Sequence, residues 1–279
     1  MKIIIDSTID LKEDYLKKNN IDQISLQVFI DGKSYRDIKE INVETLFEAI
    51  NTKKDIKTSL PVLSDMYDLL SKYAKENIPF VFFTFSKKLS GTFNAATLIV
   101  NELKEKYKTN MAVIDTKNGG MASALIVERF INSINDEMSF DEKVDLAYSY
   151  AANVRQIFLV NDLSQLKKGG RISSLQSLIG SLIHIKPILY IDLNGEIKVH
   201  KNTIGLKRAL KELIKFTNSN TLSKDTKVGV SYVQNESILK DTLNLLKEAG
   251  YTNIVNNRLA SVMAAHIGLD AVSINFFID

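Results

Sequence analysis

The chain has 279 residues, of which 45% are hydrophobic and 25% charged, so it is long enough for two domains with packed cores. Its net charge is only +3 and its lysines are scattered among acidic residues, which argues against nucleic acid as a partner. It has no cysteine, which excludes disulfides, thiolate metal sites and a cysteine nucleophile.

Histidine spacing and hydropathy exclude two further classes of protein. His184, His200 and His266 are too far apart for an HExxH-like pair, so we expect no metal site. No apolar stretch approaches the roughly 18–20 residues that span a bilayer, and the first residues do not resemble a signal peptide. We therefore expect a cytoplasmic protein without stable membrane insertion, for which transient contact with a membrane surface stays open.

The first half of the chain alternates strands and helices. Its predicted elements are strand 2–6, a helix from about Leu11 capped by Asp10, extended segment 24–30, a helix from Val43, helix 64–77, strand 79–85, helix 91–107, strand 111–115, helix 121–134 and a helix from Phe140 to about 153. The consecutive apolar residues of 79–85 are typical of a parallel strand buried on both faces. We therefore predict an N-terminal three-layer α/β/α domain over residues 1–153, with ligands at the carboxyl ends of its strands.

The second half has a different pattern. Its predicted elements are strand 156–160, a short helix ending at Lys168, a helix over 174–183 capped by Ser173 or Ser174, hairpin 186–200, helix 206–217, strand 227–233, helix 237–249 and strands near 253–258 and 271–277. Helices beside a partly antiparallel sheet predict a two-layer α+β domain with a mixed sheet over residues 154–279.

The segment "KLSGT" follows the apolar strand 79–85 and leads into a helix. A Ser90-Gly91-Thr92 turn there would present backbone N–H groups and the positive end of the helix dipole to an anion. Ser90 is also a good helix N-cap, and the two roles are equally compatible with the sequence. A nucleophile elbow requires Gly-x-Ser-x-Gly, and the first glycine is missing, which weakens a hydrolase interpretation.

Other short segments are ambiguous when taken singly. In "LKKGGRIS" the glycines end a helix, and Arg171 could also donate to an anion. Thr58 and Ser59 precede Pro61 and by themselves indicate only a turn. His266 lies among small apolar residues, where a histidine is more often a core residue than a catalyst. Asp6 and Asp10 flank Ser7-Thr8 at the end of the first strand, where a ligand could sit. The more common explanation is that Asp6 orders the turn and Asp10 caps the helix.

Taken together and in order, these segments resemble the DegV family of fatty-acid-binding proteins over essentially the whole chain. The matching motifs are "DSTIDL" near the start, "TSLP" at 58–61, "LSGTFNAA" at 89–96, "VIDTKNGG" at 113–120, "LKKGGRIS" at 166–173 and the following "IGSLIHIKPIL". Each motif is short, and their number, order and spacing make the resemblance specific.

The resemblance implies a non-catalytic carrier that holds one long-chain fatty acid between two domains and needs no cofactor. In the bacterial fatty-acid kinase system, such proteins present the carboxylate to a separate kinase subunit, which makes an acyl phosphate. Carried over by position, Thr58, Ser59, Ser90, Gly91 and His266 form the carboxylate site. Arg171 lies at the end that accepts the phosphoryl group or faces the partner. Small residues over 119–124 and the aliphatic helix 174–183 could border the tail.

Two positions depart from the family pattern. Ile267-Gly268-Leu269-Asp270 stands where a Thr-Gly-Pro-Gly sequence is expected after the histidine. Ile204 stands before Gly205 where the family usually has arginine, so docking of a kinase could be altered or lost. The alternatives are a serine-dependent esterase using Ser90, His266 and a carboxylate such as Asp6, a carrier of another amphiphile, and an interaction module that retains only the fold.

Overall fold

The computed structural model describes residues 1–161, 163–171 and 185–278. In the first half the strands are β1 (Lys2–Asp6), β2 (Ile21–Ile24), β3 (Gln27–Ile30), β4 (Lys33–Arg36), β5 (Ile56–Ser59), β6 (Phe80–Thr84) and β7 (Met111–Asp115). The helices are α1 (Glu13–Lys18), α2 (Val43–Asn51), α3 (Leu63–Lys75), α4 (Thr92–Lys106), α5 (Gly120–Ser133) and α6 (Phe140–Asn153).

The second half contains strands β8 (Val154–Leu159), β9 (Ile185–Ile191), β10 (Ile197–Ile204), β11 (Val228–Tyr232), β12 (Ile254–Arg258) and β13 (Val272–Phe277). Its helices are α7 (Ser164–Lys168), α8 (Leu206–Asn220), α9 (Glu236–Glu248) and α10 (Ser261–Ile267). The predicted helix 174–183 and its serine cap lie outside the described residues.

A parallel sheet in the order β2-β1-β6-β7 forms the centre of the first half. One apolar cluster joins one face of this sheet to α5 and α6, and a second joins the other face to α3 and α4. Every residue of β1 and of β6 is buried, because helices cover both faces. The arrangement is the expected three-layer α/β/α architecture.

The second half is built on a mixed sheet in the order β10-β9-β8-β13-β11-β12. Within it β11 and β12 are parallel, and the other neighbouring strands are antiparallel. Helices α8 and α9 cover one face through an apolar cluster of their own. The expected fold class, an α/β fold with a parallel and a mixed sheet, is therefore confirmed.

A small antiparallel sheet, β4-β3-β5, was not predicted from the sequence. The extended segment 24–30 is divided between β2 and β3, and the "TSLP" motif begins at the end of β5 instead of in a simple turn. The apolar side chains of this small sheet and of α2 share a hydrophobic cluster with β8, β9 and α10. The cluster therefore crosses residue 153, where we placed the domain boundary, and that division stays a prediction.

The prediction that Asp10 caps the first helix is wrong. Helix α1 begins at Glu13, with Lys12 as its N-cap and no side-chain cap. Asp10 is instead buried, and its carboxylate accepts a hydrogen bond from Ser231 Oγ at 3.3 Å. By contrast Asp6 does order its turn, because it accepts from the backbone N–H of Thr8 at 3.0 Å and of Phe85 at 2.8 Å.

Candidate functional site

A cavity of about 240 Å³ lies between the carboxyl ends of β1 and β6 and the mixed sheet. Most of its wall is apolar, and it is contributed by elements from both halves of the chain. The apolar lining residues are Leu26, Leu60, Phe85, Leu89, Phe158, Leu166, Ile191, Ile197, Leu259, Val262, Met263, Ile267 and Val272. A small-molecule site typically combines such a wall with a few convergent polar groups.

All six residues that the sequence singled out line this one cavity: Thr58, Ser59, Ser90, Gly91, Arg171 and His266. They come from β5, from the turn between β6 and α4, from the segment after α7, and from α10. The structure thus brings together side chains that are distant in sequence. Their individual roles toward a ligand stay predictions.

Thr58 and His266 are joined directly. Thr58 Oγ1 lies 2.7 Å from His266 Nε2, although the two residues are 208 positions apart in the chain. His266 Nδ1 is buried and has no hydrogen-bond partner among the described residues. Because an unpaired buried N–H is rarer than an unpaired acceptor, we assign the proton to Nε2, which then donates to Thr58 Oγ1. The hydroxyl hydrogen of Thr58 is left to donate to a ligand.

The surroundings of His266 keep its imidazole neutral. Burial lowers the pKa of His266 to about 4, and the positive charge of Arg171 adds to the lowering. Gly169 packs against the ring, since a Cβ built on this glycine would lie 2.0 Å from His266 Nδ1. At neutral pH the residue therefore acts on its neighbours as a hydrogen-bonding group and carries no charge.

Ser90 lies at the turn that leads into α4. Its Oγ accepts from the backbone N–H of Thr92 at 3.3 Å and lies 3.0 Å from Thr92 Oγ1. Gly91 takes the N-cap position, so Ser90 serves the start of the helix from one residue earlier than the sequence pattern predicted. Gly91 is exposed, which leaves the backbone of this turn open to a ligand.

Arg171 ties two loops together at the same end of the cavity. Its Nε donates to the carbonyl oxygen of Leu89 at 3.0 Å, and its Nη1 donates to that of Gly169. Burial lowers the pKa of Arg171 from its usual value, but a guanidinium remains charged in proteins. The side chain therefore places a fixed positive charge near Ser90 and His266.

A second, polar depression of about 360 Å³ adjoins the cavity and shares Leu89, Ser90, Gly91, Arg171 and Ile197 with it. Its remaining lining residues are Lys87, Lys88, Asn94, Gly170 and Glu196. Lys88 Nζ lies 3.6 Å from Glu196 Oε1, and Lys87 Nζ lies 3.8 Å from Asp115 Oδ2. One end of the apolar cavity thus opens onto a polar region that carries several cationic groups.

Several lining residues were missed by the sequence reasoning. Phe85 directly follows β6 and Phe158 lies in β8, and in such apolar segments a wall residue and a core residue have the same pattern. Met263 lies on α10, a short helix of small residues whose N-cap has no side-chain oxygen, so no sequence signal marks it. Gln156 could have been noticed as a polar side chain within an apolar strand; it is 5% exposed, and its Nε2 donates to Gly119 O at 3.2 Å.

The geometry does not assemble a serine-hydrolase triad. The hydroxyl group of Ser90 bonds to Thr92, and His266 Nε2 bonds to Thr58. The carboxylate of Asp6 accepts from Thr8 and Phe85. Within the described residues no cluster of histidine and carboxylate groups could hold a metal ion. In the same part of the chain no helix is long and apolar enough to cross a membrane.

Comparisons with known proteins agree with this architecture. A DegV domain-containing protein of Clostridium acetobutylicum is 30% identical over 269 residues, which are 95% of this chain and 94% of that protein. A fatty acid binding DegV family protein of Streptococcus agalactiae is 25% identical and superposes with a TM-score of 0.91 over 99% of this chain and 98% of its own.

A Thermotoga maritima protein, described as revealing a fatty acid binding function, is 26% identical and superposes with a TM-score of 0.82. The match covers 99% of this chain and 98% of that chain. The model of the family described as "Uncharacterised protein, DegV family" matches residues 1–279. The chain therefore belongs to the DegV family.

Proposed function

We propose that this protein is a non-catalytic carrier that binds one long-chain fatty acid. The observation that carries the proposal is the apolar cavity whose polar end gathers Thr58, Ser90 and His266. The fatty-acid binding of solved DegV relatives supports it. In this arrangement Thr58 and Ser90 donate their hydroxyl hydrogens to the carboxylate. Ser59 and Gly91 shape the two turns, and His266 orients Thr58.

The tail and the head group contribute unequally to the free energy of binding. Each buried methylene contributes about 0.8 kcal/mol, so a sixteen-carbon tail gains roughly 10 kcal/mol before the costs of association. Hydrogen bonds to the carboxylate contribute only about 1–3 kcal/mol. The apolar wall therefore sets most of the affinity, while the hydroxyl groups and the start of α4 set the orientation of the acid.

Mass spectrometry of the denatured, solvent-extracted protein tests this proposal directly. We expect one long-chain fatty acid per chain, or stoichiometric uptake of added palmitate or oleate by the delipidated protein. The double variant Thr58→Ala/Ser90→Ala should bind palmitate about tenfold to hundredfold more weakly. The control Thr45→Ala/Ser219→Ala removes the same groups from exposed positions outside the cavity and should bind as the wild type does. Absence of both retained and added fatty acid would contradict the proposal.

We further propose that the carboxylate is presented to a separate kinase subunit in the cytoplasm. The supporting observation is the polar depression beside Ser90 and Gly91, through which a phosphoryl donor could reach the head group, with Arg171 at its edge. The palmitate-loaded protein, mixed with a fatty-acid kinase subunit from the same cells and ATP, should yield a hydroxamate when hydroxylamine traps the acyl phosphate. A kinase that acts on another DegV protein but not on this one would contradict presentation and leave fatty-acid binding intact.

A further inference from the structure

Helix α10 lacks an N-terminal cap from its own sequence. Its N-cap residue is Ala260, which has no side-chain oxygen to accept from the first N–H groups of the helix. Two buried aspartates from the first half of the chain lie there instead. The carboxylate of Asp37 faces the N–H groups of Ser261 and Val262, and that of Asp10 faces the N–H of Ala260.

Asp37 is held rigidly in this position. The residue is fully buried, and its Oδ2 accepts from Ser7 Oγ at 2.9 Å. Ser7 Oγ in turn accepts from the backbone N–H of Leu26 at 3.0 Å, and the N–H of Asp37 donates to the carbonyl oxygen of Leu26 at 2.8 Å. Asp37 Oδ1 makes no close hydrogen bond within the described residues, so the carboxyl oxygens approach the helix N–H groups at the longer distances of weak hydrogen bonds.

Asp10 is fixed by the loop that precedes α5. Gly120 has a φ of +58°, its N–H donates to Thr8 O at 2.8 Å, and its carbonyl oxygen accepts from the N–H of Asp10 at 3.4 Å. The "DSTIDL" and "VIDTKNGG" motifs are thereby joined to each other. Apart from Thr8, Asp6 to Leu11 and Asp115 to Gly120 do not line the cavity.

The other end of the same helix carries His266. Helix α10 has only seven residues, so a displacement at its start is transmitted within two turns to the histidine. His266 Nε2 lies 2.7 Å from Thr58 Oγ1, and a shift of α10 along its own axis would change this distance. The helix therefore connects the buried aspartates to the polar end of the cavity.

We propose that Asp37, supported by Asp10, is a positioning residue that fixes helix α10 and thereby places His266 against Thr58 at the head-group end of the cavity. The two N-terminal motifs thus act on the ligand through a helix of the other half of the chain. The proposal rests on the proposed function for its ligand, but the placement of His266 is a property of the ligand-free protein as well.

Replacement of Asp37 by alanine and by asparagine separates positioning from charge. Both variants remove the same negative charge, but asparagine keeps an oxygen that can accept from the helix N–H groups. We expect Asp37→Ala to weaken palmitate binding about tenfold and Asp37→Asn to stay within about twofold of the wild type. Leu70→Ala, in the cluster between α3 and the parallel sheet, controls for general loss of stability.

The ionisation of His266 gives a second readout, which does not need a ligand. Arg171 is its charged neighbour, and burial holds its pKa at about 4. In Asp37→Ala a loosened α10 would hydrate the ring and raise this pKa toward 6.5. Because the pKa of Asp37 is itself raised to about 7, its carboxyl is already neutral where His266 titrates, and loss of its charge alone would leave the pKa of His266 near 4. In NMR spectra from about pH 8 to about pH 5, with assignment by His266→Gln, the ring of His266 should titrate in Asp37→Ala and should not titrate in the wild type.

A double-mutant cycle completes the test. If Asp37 acts through His266, Asp37→Ala should weaken palmitate binding much less in a His266→Gln background than in the wild type. Additive effects on affinity, an unchanged pKa of His266 in Asp37→Ala, or equal losses of affinity in Asp37→Ala and Asp37→Asn would overturn the proposal.

Should Asp37→Ala fail to fold, Ser7→Ala removes the anchor of Asp37 more mildly. It should show a smaller loss of palmitate affinity and a smaller rise in the pKa of His266. Wild-type protein that binds no fatty acid would contradict the proposed function, while the NMR readout would still decide the positioning role.

Discussion

His266 shows how a single side chain can be neutral and still recognise an anion. Its ring is buried between Gly169 and the hydroxyl group of Thr58, and its pKa is lowered to about 4. In the proposed site His266 Nε2 donates to Thr58 Oγ1, and the Thr58 hydroxyl donates to the carboxylate. A charged imidazolium would bind the anion more strongly, but it would also destabilise the protein before any ligand arrived.

Fatty-acid binding should therefore be linked to proton uptake at His266. A bound carboxylate raises the pKa of His266 from about 4, because it stabilises the imidazolium. By linkage, the affinity for palmitate should rise as the pH falls through the raised pKa of His266 in the complex, and this rise ends near the free-protein pKa of about 4. His266→Gln should lose this part of the pH dependence in fluorescence or calorimetric titrations. Equal slopes for the two proteins would exclude His266 as the linked group.

At the scale of elements, the two glycines at the end of α7 have separate roles, and the local sequence explains only one of them. The consecutive glycines after Lys168 predicted a helix end, and α7 does end at Lys168 with Gly169 as its C-cap. Gly170 has the left-handed φ of +71° that favours glycine there, but Gly169 has an ordinary φ of −74°. Gly169 is required by the contact with His266, which comes from another helix.

The two glycines form a matched pair for mutagenesis. A Cβ at position 169 would overlap His266, whereas a Cβ at position 170 meets nothing within 4 Å. We expect Gly169→Ala to displace the imidazole and weaken palmitate binding about tenfold. Gly170→Ala should cost about 1 kcal/mol of stability through backbone strain and leave the affinity unchanged. Urea unfolding and palmitate titration of both variants provide the comparison; equal affinities would argue against the packing role of Gly169.

Elements could be predicted from the sequence where the residues that specify them lie close together in the chain. Buried strands such as β6 and amphipathic helices such as α3 carry their pattern within a few residues, and both were predicted from the sequence. Helix α10 was missed because its N-cap residue, Ala260, has no side-chain oxygen and its seven residues are too few for a clear helical pattern. Strand β5 was interpreted as a turn because its pairing with β3 depends on residues about thirty positions away.

The same distinction applies to the site. The turn around Ser90 and the glycines before Arg171 have local sequence signals, and Ser90 and Arg171 both line the cavity. The contact between Thr58 and His266 joins residues 208 positions apart, and no spacing rule predicts it. The resemblance to DegV proteins supplied these two residues, and the structure places both on the cavity wall.

At the scale of the whole molecule, Asp6, Asp10 and Asp37 are buried, and the last two lie against residues of the second half of the chain. Burial raises the pKa of Asp6 to about 6, of Asp37 to about 7 and of Asp10 to about 8, and the charge of Asp37 contributes to the raised pKa of Asp10. These groups hold protons in the folded protein that the unfolded chain releases at lower pH. Their contribution to stability is therefore largest in mild acid.

The sign of this effect can be measured at Asp10. The pKa of Asp10 rises from 3.8 to about 8 on folding. The stability that its protonated carboxyl contributes is therefore fully present below pH 3.8 and is lost as the pH rises from 3.8 to about 8. The free energy of unfolding falls by at most about 1.4 kcal/mol for each pH unit in the window. Residue 10 does not titrate in Asp10→Asn. The free energy of unfolding of this variant, relative to that of the wild type, should therefore increase from about pH 5 to about pH 8. Exposed Asp14→Asn is the control, and a difference that stays constant with pH would contradict the assignment.

The long span between Thr58 and His266 has a consequence for how the protein matures in the cell. Synthesis proceeds from the N-terminus, and contacts between distant residues form late because the intervening chain must first be ordered. Helix α10 and β13, which complete the cavity wall, follow Thr58 by about 200 residues. A nascent chain therefore has no complete cavity until α10 and β13 have been synthesised, and the proposed binding of a fatty acid follows that step.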